Sequence, residues 1–325
     1  MKKTAECVTP HHPDKLCDQI SDAILDAYLE QDPTARVAIE TMGKSKNIYI
    51  SGEVTSNANI DIKNVVNNLY PYLKNFDVNL NITKQSPFIA QGVDTGGAGD
   101  QGIMKGYATS ETEGMIPKEL LLARKLAQHV YKFKQTDGKT QVTLDGDKIE
   151  TIVASFQSIS SQKLQELVKE VFPKFIEHGQ ILTNPAGDWE TGGFESDAGQ
   201  TGRKLVVDNY GPQIAIGGGC FSGKDPTKVD RSAAYMARRI AVDYLRKKGA
   251  KEVFVDLAYS IGVKDPVQAI VRINSSEGAV DMIEEQIKGY DLSPQGIIEF
   301  LDLRKPQYLE TAKWGHFGRN FKWED

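Results

Sequence analysis

The chain has 325 residues, 40% hydrophobic and 26% charged, enough to bury a full core and stay soluble. Its formal net charge is -5 and it carries no long basic run, which argues against a nucleic-acid scaffold. Three cysteines (Cys7, Cys17 and Cys220) form no CxxC and five histidines are scattered, which excludes a disulfide framework and a zinc site. Met1-Lys2-Lys3 is followed by no apolar run, and no stretch reaches the ~20 apolar residues of a membrane span. The expected location is the cytoplasm, with neither nucleic acid nor membrane as partner. The length predicts two or three compact units.

Thr9-Pro10-His11-His12-Pro13-Asp14-Lys15 is stiffened by two prolines and leads into a helix. Leu16, Ile20, Ala23, Ile24, Ala27 and Tyr28 mark its buried face. Asp18, Asp22 and Asp26 recur every four residues and read as a solvated acidic face. Asp14 reads either as the N-cap or as a hard-metal ligand beside a phosphate-binding His12 and Lys15. Residues 36–41 and 47–55 predict a hairpin, with Glu40 and Glu53 at the ends of apolar strands. Helical spacing over 59–74 and alternation over 77–83 follow. The unit reads helix, hairpin, helix, strand.

Residues 84–102 are rich in glycine and hold specific polar residues, among them Gln85, Asp94, Asp100 and Gln101. Gly97 to Gly102 matches GxGxxG, but neither a strand before nor a helix after supports a dinucleotide fold. A helix is predicted over 118–133. A turn at Asp137-Gly138 opens a hairpin over 139–144 and 148–157, and another helix starts after Ser160 or Ser161. The order matches the first unit and points to a repeated α/β module.

After the turn-rich Asn184-Pro185-Ala186-Gly187-Asp188-Trp189, Thr201-Gly202-Arg203-Lys204 places two cations on a flexible joint, a phosphate clamp in chemistry. Leu205 to Asp208 reads as a short strand. Gly217-Gly218-Gly219-Cys220-Phe221-Ser222-Gly223-Lys224-Asp225-Pro226 nearly matches the phosphate loop GxxxxGK[ST]. Asp225 and Pro226 stand where that loop needs a hydroxyl and a helix start, so a Walker-type kinase or GTPase is rejected. Exposed backbone donors with Lys224 and Lys228 remain. Helices over 231–247 and 277–288 flank strands at 253–259 and 269–273, and the tail from Gly315 to Trp323 reads as packing onto the body.

Taken in order, these blocks resemble the S-adenosylmethionine synthetase (methionine adenosyltransferase) family. The resemblance rests on His12-Pro13-Asp14-Lys15, Gly52-Glu53, Lys84-Gln85-Ser86-Pro87, the Gly97 to Gly102 block, Thr201 to Lys204, Phe221 to Tyr235 and Gly315 to Arg319. It implies three similar α/β domains about a pseudo-threefold axis, here 1–91, 92–191 and 192–325. It implies adenosyl transfer from ATP to the sulfur of L-methionine, with the triphosphate then cut to pyrophosphate and phosphate. It implies two Mg2+ per site, K+, and a homodimer with sites at the interface, a homotetramer being the alternative.

Carried over residue by residue, the resemblance puts His12, Lys139, Arg203 and Lys224 at the chemistry. It puts Lys15, Asp137, Asp188, Trp189, Asp197, Lys204 and Cys220 on ATP. Glu53, Gln85, Asp100, Asp197 and Lys228 fall to methionine, Asp14 and Asp230 to Mg2+, and Glu40 to K+. Trp189 takes the place of a phenylalanine, Asp188 of an arginine, and only Thr95 and Gly96 separate Asp94 from the Gly97 block, a short lid. Two other readings stand beside this one: a phosphotransferase with a non-Walker site, and a degenerate regulatory homologue.

Overall fold

The structure is a computed structural model and describes residues 1–85, 96–173, 179–275 and 282–325. Strand β1 (Lys2–Val8) leads into helix α1 (Pro13–Gln31). Pro13 at the first helical position supplies the helical φ, and Leu16, Ile20, Ile24 and Leu25 bury one face. The hairpin β2 (Arg36–Lys44) and β3 (Asn47–Thr55) follows, then α2 (Ile62–Leu69), capped by Asp61 accepting from the Asn64 amide at 3.1 Å. Next come β4 (Asp77–Thr83), β5 (Gly102–Thr109) and α3 (Lys118–Phe133). The hairpin β6 (Gly138–Asp145) and β7 (Lys148–Phe156) precedes α4 (Ser161–Val171), whose cap is Ser160, and then β8 (Gln180–Thr183). The last part holds β9 (Gly199–Gln200), α5 (Val229–Lys248), β10 (Glu252–Tyr259), β11 (Gln268–Asn274), β12 (Ile283–Gln286), α6 (Pro294–Phe300) and α7 (Tyr308–Trp314). No helix among the described residues is long and apolar enough to cross a membrane.

These strands make three four-stranded sheets, ordered β9-β2-β3-β4, β1-β6-β7-β8 and β5-β10-β11-β12. In each, a lead strand runs antiparallel to the first strand of a hairpin. One long helix packs on that pair: α1 on β9 and β2, α3 on β1 and β6, α5 on β5 and β10. The repeated module expected from the sequence is therefore visible three times. The contact is close in the third, where a Cβ on Gly106 of β5 would meet the Ala237 carbonyl of α5 at 2.1 Å.

Each lead strand stands in sequence before the helix of a different module. β1 precedes α1 but joins the β6 sheet, β5 precedes α3 but joins the β10 sheet, and β9 precedes α5 but joins the β2 sheet. The three modules exchange strands in a closed cycle. One apolar core runs continuously through the first and third modules; the second has its own, around Leu126, Val130, Ile152 and Phe156.

The third module departs from the other two. β4 and β8 lie parallel to their neighbours, reached through α2 and α4, whereas β12 is antiparallel to β11. A parallel return needs a crossover of a dozen or more residues, and the 275–282 connection is too short. The helix expected over 277–288 is accordingly a strand at Ile283–Gln286; residues 276–281, with Val280, lie outside the described residues. The expected strand at 205–208 is one helical turn, Leu205–Asp208, closed by the Asp208 amide on the Lys204 carbonyl. The tail packs as expected: Trp323 is fully buried, stacked on Tyr235 at 3.9 Å, and Glu324 pairs with buried Arg238 at 2.6 Å.

Candidate active site

The site begins at the α1 N-terminus. The helix cap is His12, not Asp14: the His12 Nδ1 accepts the Asp14 amide at 3.2 Å. That bond fixes the neutral tautomer with the proton on Nε2. Burial first, and the Lys204 ammonium second, push the His12 pKa down to about 4. At neutral pH the ring is an uncharged donor. Ring NMR of His12 is expected to show the Nε2–H tautomer with no titration between about pH 5.5 and 8, the ordinary histidine range. A midpoint near 6.5 would remove this account.

Around His12 the fold gathers charge. The Asp14 carboxylate is 1% exposed. It accepts the Gln200 amide at 2.9 Å and the Lys204 ammonium at 2.5 Å, with Arg203 Nε at 3.7 Å. Lys139 and Asp197 also act electrostatically on the His12 ring. Lys139 lies on the outer face of β6 and pairs with Glu6 of β1 at 2.5 Å. Glu6, Arg203 and Lys204 line one cavity of about 540 Å3. Glu6 was not singled out by the sequence; its only signal is the alternation of β1, with Ala5 and Cys7 inward and Thr4 and Glu6 outward. Asp137 accepts the Gly193 amide at 2.9 Å, and burial raises its pKa to about 6.

The aspartates of α1 are not a solvated face. Asp18 and Asp22 are 2% and 0% exposed, and each of the four holds backbone from a distant segment. Asp18 accepts the Gly202 amide and Asp22 the Gly223 amide, both at 2.8 Å. Asp26 accepts the amides of Gln307, Tyr308 and Leu309. Lys15 requires a second correction. It is fully buried between Asp18 at 3.1 Å and Asp208 at 2.5 Å, so its ammonium neutralises carboxylates and does not reach a phosphate.

The 217–224 loop brings up a second charged group. Gly223, at φ +81, comes so close to β2 that a Cβ would stand 1.9 Å from the Ile39 carbonyl. A bridge between Ala38 and Lys224 fastens the loop there. Lys224 pairs with Asp230 at 2.6 Å. Burial opposes its charge, but Cys220, Asp230 and Glu40 outweigh that and raise its pKa. Cys220 is half-buried and touches the Gly202 turn, which joins the two charged groups, and burial raises its thiol pKa. Asp230 and Asp100 line a cavity of about 650 Å3 with Gly218, Gly219 and Tyr259. Lys228 pairs with the buried Asp225 at the start of α5.

Other expected residues lie further out. The Asp188 carboxylate accepts the Ser161 amide at 2.9 Å and the Asn184 side-chain amide at 2.8 Å, so it closes a turn onto α4 while the residue stays exposed. Trp189 is half-buried, and its carbonyl holds the Ser158 amide. Glu40 and Glu53 stand on the outer face of the β2–β3 hairpin, opposite Ser51 and Ala38. The buried Gln85 Oε1 finds no partner among the described residues. Asp94 and the 92–95 part of the short lid lie outside them.

Among the described residues no three His, Cys, Asp or Glu side chains are grouped to hold a metal. The donors nevertheless fit magnesium. Asp14 and Asp230 each already hold a cation, the ammonium of Lys204 or Lys224. Magnesium takes one or two carboxylates and completes its shell with water and substrate phosphate.

Sequence comparison places the chain. Residues 1–87, 95–189 and 191–325 match, in order, the N-terminal, central and C-terminal domains of S-adenosylmethionine synthetase. The chain belongs to the S-adenosylmethionine synthetase family. It is 42% identical over 365 residues to the S-adenosylmethionine synthase of Sorangium cellulosum, covering 99% of this chain and 86% of that protein. It is 42% identical over 390 residues to that of Petrotoga mobilis, covering 100% and 96%. Against that of Mycoplasmopsis synoviae it is 42% identical over 365 residues, covering 100% and 95%. These alignments are longer than the chain, so the synthetase relatives carry segments that it lacks.

Proposed function

We infer that this protein transfers the adenosyl group of ATP to the sulfur of L-methionine and hydrolyses the released triphosphate to pyrophosphate and phosphate. Family membership supports the reaction. The structural observation that carries it is the wiring of His12. With Nδ1 occupied by the Asp14 amide, the ring can only donate from Nε2. A thioether sulfur has no proton to remove, so a donor and no base is what adenosyl transfer needs at this place.

In this reading the sulfur attacks C5′ and the C5′–O bond breaks as negative charge gathers on the departing triphosphate. His12 donates toward the oxygen that leaves. Lys139, Arg203, Lys204 and Lys224 take up the charge on the phosphates. Asp137, Asp188, Trp189, Asp197 and Cys220 hold the nucleotide. Glu53, Gln85, Asp100, Asp197 and Lys228 orient methionine, which aligns sulfur with C5′. Asp14 and Asp230 hold magnesium, two ions per site, which when bound neutralises phosphate charge. Glu40 takes potassium. The exposed Met42, Tyr49 and Ile103 on the outer sheet faces support a homodimer with sites at the interface, with a homotetramer as the alternative; the setting is the cytoplasm. As units of sequence the proposed domains are 1–91, 92–191 and 192–325.

The test is a product assay with ATP, L-methionine, magnesium and potassium. S-adenosylmethionine, pyrophosphate and phosphate are expected in equal amounts. ADP in their place would transfer the site to the phosphotransferases, and ATP binding without turnover would make it a regulatory homologue.

A further inference from the structure

Asp14, Asp18, Asp22 and Asp26 stand at four-residue intervals on α1, and each accepts at least one backbone amide from elsewhere in the chain. Four residues advance a helix by about 6 Å. Gln200 and Gly202 are thereby fixed to the first two steps of the helix and Gly223 to the third. Immediately after these anchors come the cations, Arg203 and Lys204 in one turn and Lys224 in the other. Asp26 differs from its neighbours, because it holds residues 307–309, which carry no phosphate-binding cation in the reading above.

We propose that Asp18 is a positioning residue for polyphosphate, fixing the Arg203–Lys204 turn to α1 before ligand arrives. The proposal rests on the functional reading above. Arg203 and Lys204 follow Gly202 at φ +83, a joint free to move in the absence of ligand unless it is anchored. Asp18 anchors it in two ways. Its Oδ1 grips the Gly202 amide at 2.8 Å, and its other oxygen is locked by Lys15 at 3.1 Å, whose second partner is Asp208. The turn is also pinned by Thr201, whose hydroxyl bonds Ser21 at 2.9 Å and accepts the Thr41 amide at 2.9 Å. The cradle is thus set before ligand arrives, so little ordering is left to oppose binding.

Binding of inorganic tripolyphosphate with magnesium, followed by calorimetry, tests this without turnover. Asp18→Ala is expected to weaken binding about tenfold or more, since a charge-assisted bond is lost. Asp18→Asn keeps an acceptor for the Gly202 amide and is expected to restore affinity to within about threefold of the wild type. Asp26→Ala removes a like clamp from the same helix and is expected to lower the melting temperature with affinity unchanged. Equal affinities for Asp18→Ala and Asp26→Ala, or no gain from Asn over Ala, would overturn the proposal. Wild-type protein that fails to bind tripolyphosphate would sink the functional reading and this proposal with it. Should Asp18→Ala not fold, hydrogen exchange in the wild type decides. Slow exchange across 200–204 in ligand-free protein is expected, and free exchange that slows only with tripolyphosphate would refute a preset cradle.

Discussion

Replacing His12 with asparagine is expected to slow S-adenosylmethionine formation by about a hundredfold to a thousandfold, the usual cost of one donor aimed at developing charge. Asparagine is a good N-cap, so α1 keeps its start while the donor is lost. Lys139, Arg203 and Lys204 remain, so ATP affinity should change only a few-fold. Rapid-quench measurement of one turnover at saturating ATP and methionine separates the step from product release. Full speed in that experiment would end the leaving-group role. A parallel fall in affinity and rate would make His12 a binding residue instead.

The second large effect is on stability. Asp22 and Arg231 are both fully buried and meet through two parallel bonds, at 2.7 and 2.9 Å. Arg231 is further held by Thr311 at 3.1 Å and Tyr235 at 3.0 Å, and lies 4.1 Å from the Tyr308 ring. Asp22→Ala leaves this guanidinium buried and uncompensated, for an expected loss of about 3–5 kcal/mol. Urea denaturation measures it. Asp22→Leu combined with Arg231→Met should recover much of the loss, because no charge is then stranded. A loss below about 1 kcal/mol for the single variant would place the pair with ordinary exposed ion pairs.

Much of the fold was legible, and the reasons are local. Asp145-Gly146-Asp147 reads as a turn because Gly146 takes φ +58, and Gly249 stops α5 at φ +58 in the same way. Ser160 caps α4 because its side chain reaches the Lys163 amide. What was misread depends on partners far along the chain. An aspartate every fourth helical residue looks solvated until segments near residues 200, 223 and 308 lie over it. Lys15 follows two prolines and an aspartate as a phosphate ligand would, but Asp208 decides otherwise. β1 alternates only weakly, and it and β5 are not read as strands from the sequence because each is completed by strands far along the chain. Of the site, the cationic turns were legible as glycine next to lysine or arginine. Glu6 was not, since its role is set by Lys139 across the sheet.

The cyclic exchange of strands bears on how the chain comes off the ribosome. β1 is made first, yet its partner begins at Gly138, and the β2 sheet waits for Gly199. Until then each partial sheet presents an open edge to other chains. No sheet is complete when its own hairpin emerges. Assembly is therefore staggered: the strands of the β1 sheet are all made by Thr183, those of the β2 sheet by Gln200, and those of the β5 sheet only by Gln286. A break in any one lead strand is felt by two modules at once.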